Sequence, residues 1–270
     1  MDERQTWIIT GAGRGLGLAL TRRVLEAGHH VVATTRGGEM PFCHPELTVL
    51  PLEVADRASC CRAAAEVVQR RGRVDVLVNN AGYGLVWAIE EVSEAEARAI
   101  LDVDLLGPLW MTQATLPTMR AQGGGDVVQI SSVGGVGAMP FFGMYNAAKW
   151  GLEGFTEALA GEVADAGVRV TLVEIGAMDT QWATTSMQFS RPHPAYDEVR
   201  TRVLGTAEVP WPADEGSTGG GTSPAVIAER LVTYLASGTS GPLRLVLGDD
   251  AVEQIEVVLA RRARDYTARP

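Results

Sequence analysis

The chain has 270 residues, 46% of them hydrophobic and 21% charged, with 31 glycines and a formal net charge of −10. This length and apolar content allow a sizeable core and exclude wholesale disorder. The acidic balance, with nothing more basic than Arg261-Arg262 and Arg264, argues against a nucleic-acid binder.

The first residues, MDERQTW, are charged and run straight into an apolar strand pattern at Thr6–Thr10, so no signal peptide is expected. Residues 15–27 follow with Leu16, Ala19, Leu20, Val24 and Ala27 at helical spacing. Further strands are predicted at His30–Thr35, 47–52, 74–79, 126–131, Val168–Ile175 and 243–247. Most are Val/Ile/Leu-rich without polar alternation, as strands covered on both faces require. Helices are predicted between them at 57–69, 94–120, 145–164 and Pro224–Ala236, the second opening on the capping box Ser93-Glu94-Ala95-Glu96. Strands alternating with helices imply right-handed βαβ units and a parallel doubly wound α/β sheet with helices on both faces, read as one domain over 1–270.

Two stretches need a local reading. Residues 127–148 carry no charge for 22 positions, but the glycines at 134, 135, 137 and 143 and Pro140 break them, so a strand, a loop and a helix start are expected rather than a membrane span. Residues 176–223 show few strong patterns; a segment this long is read as a substrate lid, with 216–222 (GSTGGGT) looking mobile and His193, between two prolines, as surface. Cys43, Cys60 and Cys61 make no disulfide framework, and no His or Cys stands at zinc spacing, so a reducing cytoplasm and no metal are expected.

Chemistry concentrates in three places. After the first strand, Gly11, Gly15 and Gly17 form GxxxGxG, a tight turn that lets a backbone approach a pyrophosphate at a helix N-terminus. The second strand ends Thr34-Thr35-Arg36, with no acid before Glu39 to take a ribose 2′-hydroxyl. Arg36 and Arg14 offer instead a clamp for a 2′-phosphate, which favours NADP(H) over NAD. Tyr145 and Lys149, four apart at a helix start, share a face, and Ser132 follows a strand. An ammonium beside a phenol brings its pKa towards the working range, and a serine hydroxyl can hold a carbonyl oxygen. Lys149 is the only lysine in the chain, against 22 arginines.

Together these segments resemble the short-chain dehydrogenases/reductases over nearly the whole chain. Thr10–Gly17 resembles the family's cofactor turn, with Gly11, Arg14, Gly15, Leu16 and Gly17. Asn79-Asn80-Ala81-Gly82 resembles its NNAG segment, and Ser132, Tyr145 and Lys149 its catalytic residues. The resemblance implies sheet order 3-2-1-4-5-6-7 and hydride transfer between nicotinamide and a carbonyl or alcohol carbon. Tyr145 would be the general acid/base, Ser132 the orienting group, and Lys149 would bind ribose and lower the tyrosine pKa. It also implies a homodimer or homotetramer through the helices at 94–120 and 145–164.

Three positions depart from the family. Asp104 stands where the family has a catalytic asparagine; a carboxylate at roughly 7 Å from the ammonium would interact with it by roughly 2 kcal/mol. Ile175-Gly176 replaces Pro-Gly, while Gly176 through Thr180 keep the spacing of the cofactor contacts. Glu53, followed by Val54, replaces an aspartate near the adenine. Trp87, Met139, Phe142, Met178 and Trp182 fall in segments that flank the family's substrate pocket, which points to an apolar small molecule. The expected activity is NADPH-dependent reduction of a ketone to a secondary alcohol, or its reverse. The alternatives are an epimerase or dehydratase-like enzyme with retained cofactor, and a catalytically silent NADP-binding scaffold or sensor.

Overall fold

The structure, a computed structural model, describes residues 4–180, 187–210, 220–238 and 241–268. Strands β1 (Thr6–Thr10), β2 (His30–Thr35), β3 (Leu47–Pro51), β4 (Val76–Asn79), β6 (Gly125–Ile130), β7 (Val168–Ile175) and β9 (Arg244–Leu247) form one sheet in the order β3-β2-β1-β4-β6-β7-β9. Every pairing in it is parallel, so the seven strands and their predicted order stand, with only the numbering changed by two short extra strands. β1 and β4 are buried at every residue, as their uninterrupted apolar runs demand.

Helices cover both faces. On one side α1 (Gly15–Glu26) and α8 (Pro224–Ala236) pack together through Leu16, Leu20 and Val24 against Ile227, Leu231 and Leu235. On the other lie α2 (Arg57–Arg71), α4 (Gly107–Ala121) and α6 (Gly143–Glu162), burying Cys60, Val67, Met111, Met119 and Leu159 over Ile8, Leu77 and Val127. Local chemistry sets the ends. Asp56 caps α2 by accepting from the Ala58 N–H at 2.9 Å, and Gly72 closes it in the left-handed region at φ 72°.

The helix predicted at 94–120 is helical throughout, but its hydrogen bonding changes register midway. α3 (Glu94–Leu101), begun by the expected Ser93/Glu96 capping box, gives way to a π-turn at Asp102–Leu106 before α4. Pro108 has no N–H to return to the Asp104 carbonyl, and the Gly107 N–H reaches back five residues to Asp102 instead.

The span 127–148 resolves into the end of β6, a short helix α5 (Val133–Val136) and the start of α6. Among the described residues no helix is long and apolar enough to cross a membrane.

The region 176–223 is more ordered than its sequence suggests, where it is described. β5 (Gly84–Val86) pairs in parallel with β8 (Met187–Phe189), and α7 (Asp197–Leu204) follows. Glu91 pins this segment: its carboxylate accepts from Arg200 Nη2 and the His193 N–H, both at 2.6 Å, and its carbonyl accepts from Ser190 Oγ. Arg200 is 1% exposed, and such a paired buried charge is costly to break. His193 is exposed, as expected. Part of the 216–222 stretch and all of Trp182 lie outside the described residues.

A C-terminal helix, α9 (Ala251–Thr267), escaped the sequence patterns. Only Ala251 on it is buried, while Val252, Val257 and Leu259 are exposed, so most of the helix lies on the surface.

Candidate active site

The connections leaving β1 and β4 run to opposite faces of the sheet, and a cleft opens at the carboxyl ends of the strands where they part. Its volume is about 950 Å³. One end is lined by Gly11, Arg14, Gly15 and Leu16 of the first turn, Arg36 after β2, and Glu53 and Val54 after β3. Asn80, Ala81 and Gly82 form the middle, Ser132, Tyr145 and Lys149 the other end, and Gly176, Met178 and Thr180 line a further wall, with Thr180 beside Gly15. Sequence segments scattered over 170 residues thus meet on one surface. Gly17 is the exception. It does not line the cleft but packs beneath it, where a Cβ would lie 2.4 Å from the Gly11 carbonyl oxygen.

The asparagines under the cleft tie its floor together. Asn80 Nδ2 donates to the carbonyls of Thr10 and Gly11 at 2.8 and 3.2 Å, and Thr10 Oγ1 accepts from the Asn80 and Ala81 N–H groups. Asn79 Nδ2 reaches the Pro108 carbonyl and Thr112 Oγ1, tying β4 to α4. These contacts account for the pair of asparagines. The N-terminus of α1 carries no acidic residue in its first turn and no side-chain cap, so its N–H groups and positive dipole end face the cleft. A cleft of this length, with backbone donors at a helix N-terminus and two arginines at one end, fits a phosphorylated dinucleotide.

At the other end, α6 presents Tyr145 and Lys149 one turn apart, both buried. Ser132 sits at the head of α5, where its hydroxyl oxygen accepts from the Gly134 N–H at 3.1 Å, and it hydrogen-bonds the Tyr145 phenol. Ser131 Oγ donates to Glu153 Oε1 at 2.6 Å, fastening the end of β6 to α6. Lys149 Nζ donates to the Ile130 carbonyl at 3.1 Å and lies 5.8 Å from the centre of the Tyr145 ring. Burial pushes the Tyr145 phenol above its usual range; the Lys149 ammonium and the Ser132 hydrogen bond pull it back in part, and Asp104 adds to the rise.

Asp104 is closer to the lysine than the sequence suggested. Its Oδ2 lies 3.5 Å from Lys149 Nζ, a direct buried ion pair rather than a contact at twice that distance, because the π-turn swings the carboxylate inward. Its Oδ1 accepts from the Tyr83 N–H at 3.1 Å. Complete burial raises its pKa to about 6, with Lys149 and the Tyr83 N–H opposing the rise.

The sign of this shift sets a stability prediction. The folded state holds the Asp104 proton more tightly than the unfolded chain, so the associated stabilisation is present below about pH 4 and is lost as pH rises through about 6. Protonated Asp104 is nearly isosteric with asparagine. Asp104→Asn should therefore match the parent at pH 4 and exceed it by on the order of 2 kcal/mol near neutral pH, read as unfolding midpoints at the two pH values.

The pocket residues expected from the sequence divide. Met178 lines the cleft. Trp87, Met139 and Phe142 do not. Trp87 is 2% exposed and packed with Leu85 and Ile100 behind Tyr145, Phe142 meets the Tyr145 ring edge-on at 6.4 Å, and Met139 is exposed. The parallel bridge between Trp87 and Phe142 turns both side chains into this cluster instead of the cleft. Tyr83, Ala99, Val103 and Gln188 line the cleft and were not anticipated. Their positions follow from the π-turn and the β5–β8 pair, neither of which has a strong sequence signature. Burial raises the Tyr83 pKa to about 12, leaving a neutral phenol.

Comparison with known proteins agrees with this geometry. The family model for short chain dehydrogenase matches residues 5–190. A protein described as an oxidoreductase in Schizosaccharomyces pombe is 35% identical over 254 residues, covering 93% of this chain and 84% of its own. The crystal structure of a short-chain dehydrogenase from Streptomyces avermitilis superposes with a TM-score of 0.84 at 36% identity, covering 97% of this chain and 96% of that one. An alcohol dehydrogenase from Thermococcus sibiricus, solved with 5-hydroxy-NADP, gives a TM-score of 0.69 at 25% identity, covering 91% and 97%. The chain belongs to the short chain dehydrogenase family. It is an oxidoreductase with that family's Rossmann-like fold.

Proposed function

We propose that this chain is an NADP(H)-dependent reductase that converts a ketone of an apolar small molecule to a secondary alcohol, or runs the reverse. The convergence of Ser132, Tyr145 and Lys149 at one end of a cleft that carries Arg14 and Arg36 at the other is the observation that supports this reading most. Arg14 and Arg36 would hold the 2′-phosphate, the first turn of α1 the pyrophosphate, and Lys149 the ribose next to the nicotinamide. When bound, NADPH supplies the hydride.

In the reducing direction Ser132 Oγ holds the substrate carbonyl oxygen and the Tyr145 hydroxyl gives it a proton as the carbonyl carbon gains the hydride. Lys149 stabilises the phenolate left on Tyr145 until a proton returns from solvent. Ala99, Val103 and Met178 in the cleft lining favour an apolar ligand, with Tyr83 and Gln188 as polar lining residues. The described part of the 176–223 segment that lines the cleft, Gly176, Ala177, Met178, Thr180 and Gln188, supports reading it as a substrate lid. The outer faces of α4 and α6, where Trp150 is 44% exposed, are read as the homo-oligomer contact. A cytoplasmic location accords with the three free cysteines.

Consumption of NADPH with a panel of apolar ketones tests the reading. Turnover with at least one is expected. NADPH binding with no turnover on any of them would favour the silent scaffold instead. Asp104 supplies a finer check. Its negative charge opposes the phenolate forming on Tyr145, so the reduction rate should step down as pH rises through about 6. Asp104→Asn should lack that step and match or exceed the parent rate at neutral pH. A loss beyond about tenfold would make Asp104 an adapted catalytic group.

A further inference from the structure

The cleft wall at 175–177 has no proline to stiffen it, yet it is tightly held. Asp250 occupies the N-cap of α9, where an aspartate ordinarily accepts from its own helix. It makes no side-chain cap there. Both carboxylate oxygens accept instead from the Ala177 N–H, at 3.1 and 3.0 Å, and Gln254 Nε2 steadies Oδ2 at 2.6 Å. The surrounding backbone is cut away to admit the carboxylate. A Cβ on Gly176 would lie 2.1 Å from Asp250 Oδ1, and Gly248, at φ 119°, would bring one to 3.3 Å. The opposite side of Ala177 is fixed too, since its carbonyl accepts from the Thr222 N–H at 3.0 Å.

We propose that Asp250 is a positioning residue for the cofactor cleft: its carboxylate, drawn away from its own helix end, holds the 175–177 turn where it can meet the bound dinucleotide. The proposal rests on the NADP(H) reading of the cleft. It makes the C-terminal helix a support of the binding site rather than an appendage, because Asp250 begins α9 and Val258 of the same helix packs on Gly137 at the end of the Ser132 turn.

Asp250→Ala and Asp250→Asn separate a specific hydrogen bond from a general structural effect, because asparagine keeps an acceptor for the Ala177 N–H. In the cofactor-free protein, amide hydrogen exchange at Ala177 should accelerate in the alanine variant and stay close to the parent in the asparagine variant. The Kd for NADPH, followed by fluorescence, should rise about tenfold in Asp250→Ala and change little in Asp250→Asn. Gly176→Ala, which pushes the carboxylate out, should reproduce the alanine result, and the two together should cost little more than either.

Unchanged exchange and affinity in Asp250→Ala would overturn the proposal, as would equal losses in the asparagine and alanine variants. A parent protein that binds neither NADPH nor NADH would overturn the NADP(H) reading itself, whatever the exchange data show for Asp250.

Discussion

Replacing Tyr145 by phenylalanine is expected to lower the rate of ketone reduction about 10³-fold and to leave NADPH affinity unchanged. The ring is anchored without its hydroxyl: it is buried in the cluster with Leu85, Trp87 and Ile100, and Phe142 meets it edge-on. Removing one oxygen therefore subtracts the proton donor while the apolar packing stays. The loss should fall on kcat, since a proton transferred in the transition state contributes little to substrate binding. Steady-state kinetics of the two proteins, with cofactor titrations, check both halves. A phenylalanine variant that keeps more than about a tenth of the parent rate would move the proton-donor role off Tyr145.

Loss of the arginines at the other end of the cleft should act on binding instead. Arg14 precedes α1 and Arg36 follows β2, where Thr35 Oγ1 accepts from the Glu39 N–H and donates to its carbonyl to close the turn. Both are exposed and line the cleft, placed to be neutralised by a phosphate. Glu53, the nearby acid after β3, has its carboxylate turned to the Ala55 N–H. Each charge-assisted contact to a phosphate contributes roughly 1.5–3 kcal/mol, so Arg36→Ala should weaken NADPH binding about tenfold and the double alanine variant about 10²-fold. NADH, with no 2′-phosphate, should bind all three proteins alike. Equal weakening of both cofactors would mean that the arginines support the turns rather than read the phosphate.

Long-range order in this fold was legible because it rests on strong local signals. Seven apolar runs give the seven strands of the sheet, and GxxxGxG between the first strand and first helix locates the cleft. The spacing of Tyr145 and Lys149 on one helix survives into space directly. What stayed hidden depends on contacts distant in sequence. The π-turn at Asp102–Leu106 arises where Pro108 cannot complete a helical bond, and it carries Asp104 to its ion pair with Lys149. An apolar residue in the right segment says nothing about which way it faces, which is why Trp87 and Phe142 lie behind Tyr145 and Gln188 reaches the cleft. Asp250 begins a helix that the sequence patterns miss, and only the fold shows its carboxylate bonded to Ala177.

Fluorescence titration of the purified chain with NADPH and then with NADH bears on all of these proposals at once. Tight NADPH binding and much weaker NADH binding are expected, a preference lost when Arg14 and Arg36 are replaced. Binding of neither cofactor would contradict the assignment of the cleft and, with it, the reductase activity proposed for Ser132, Tyr145 and Lys149.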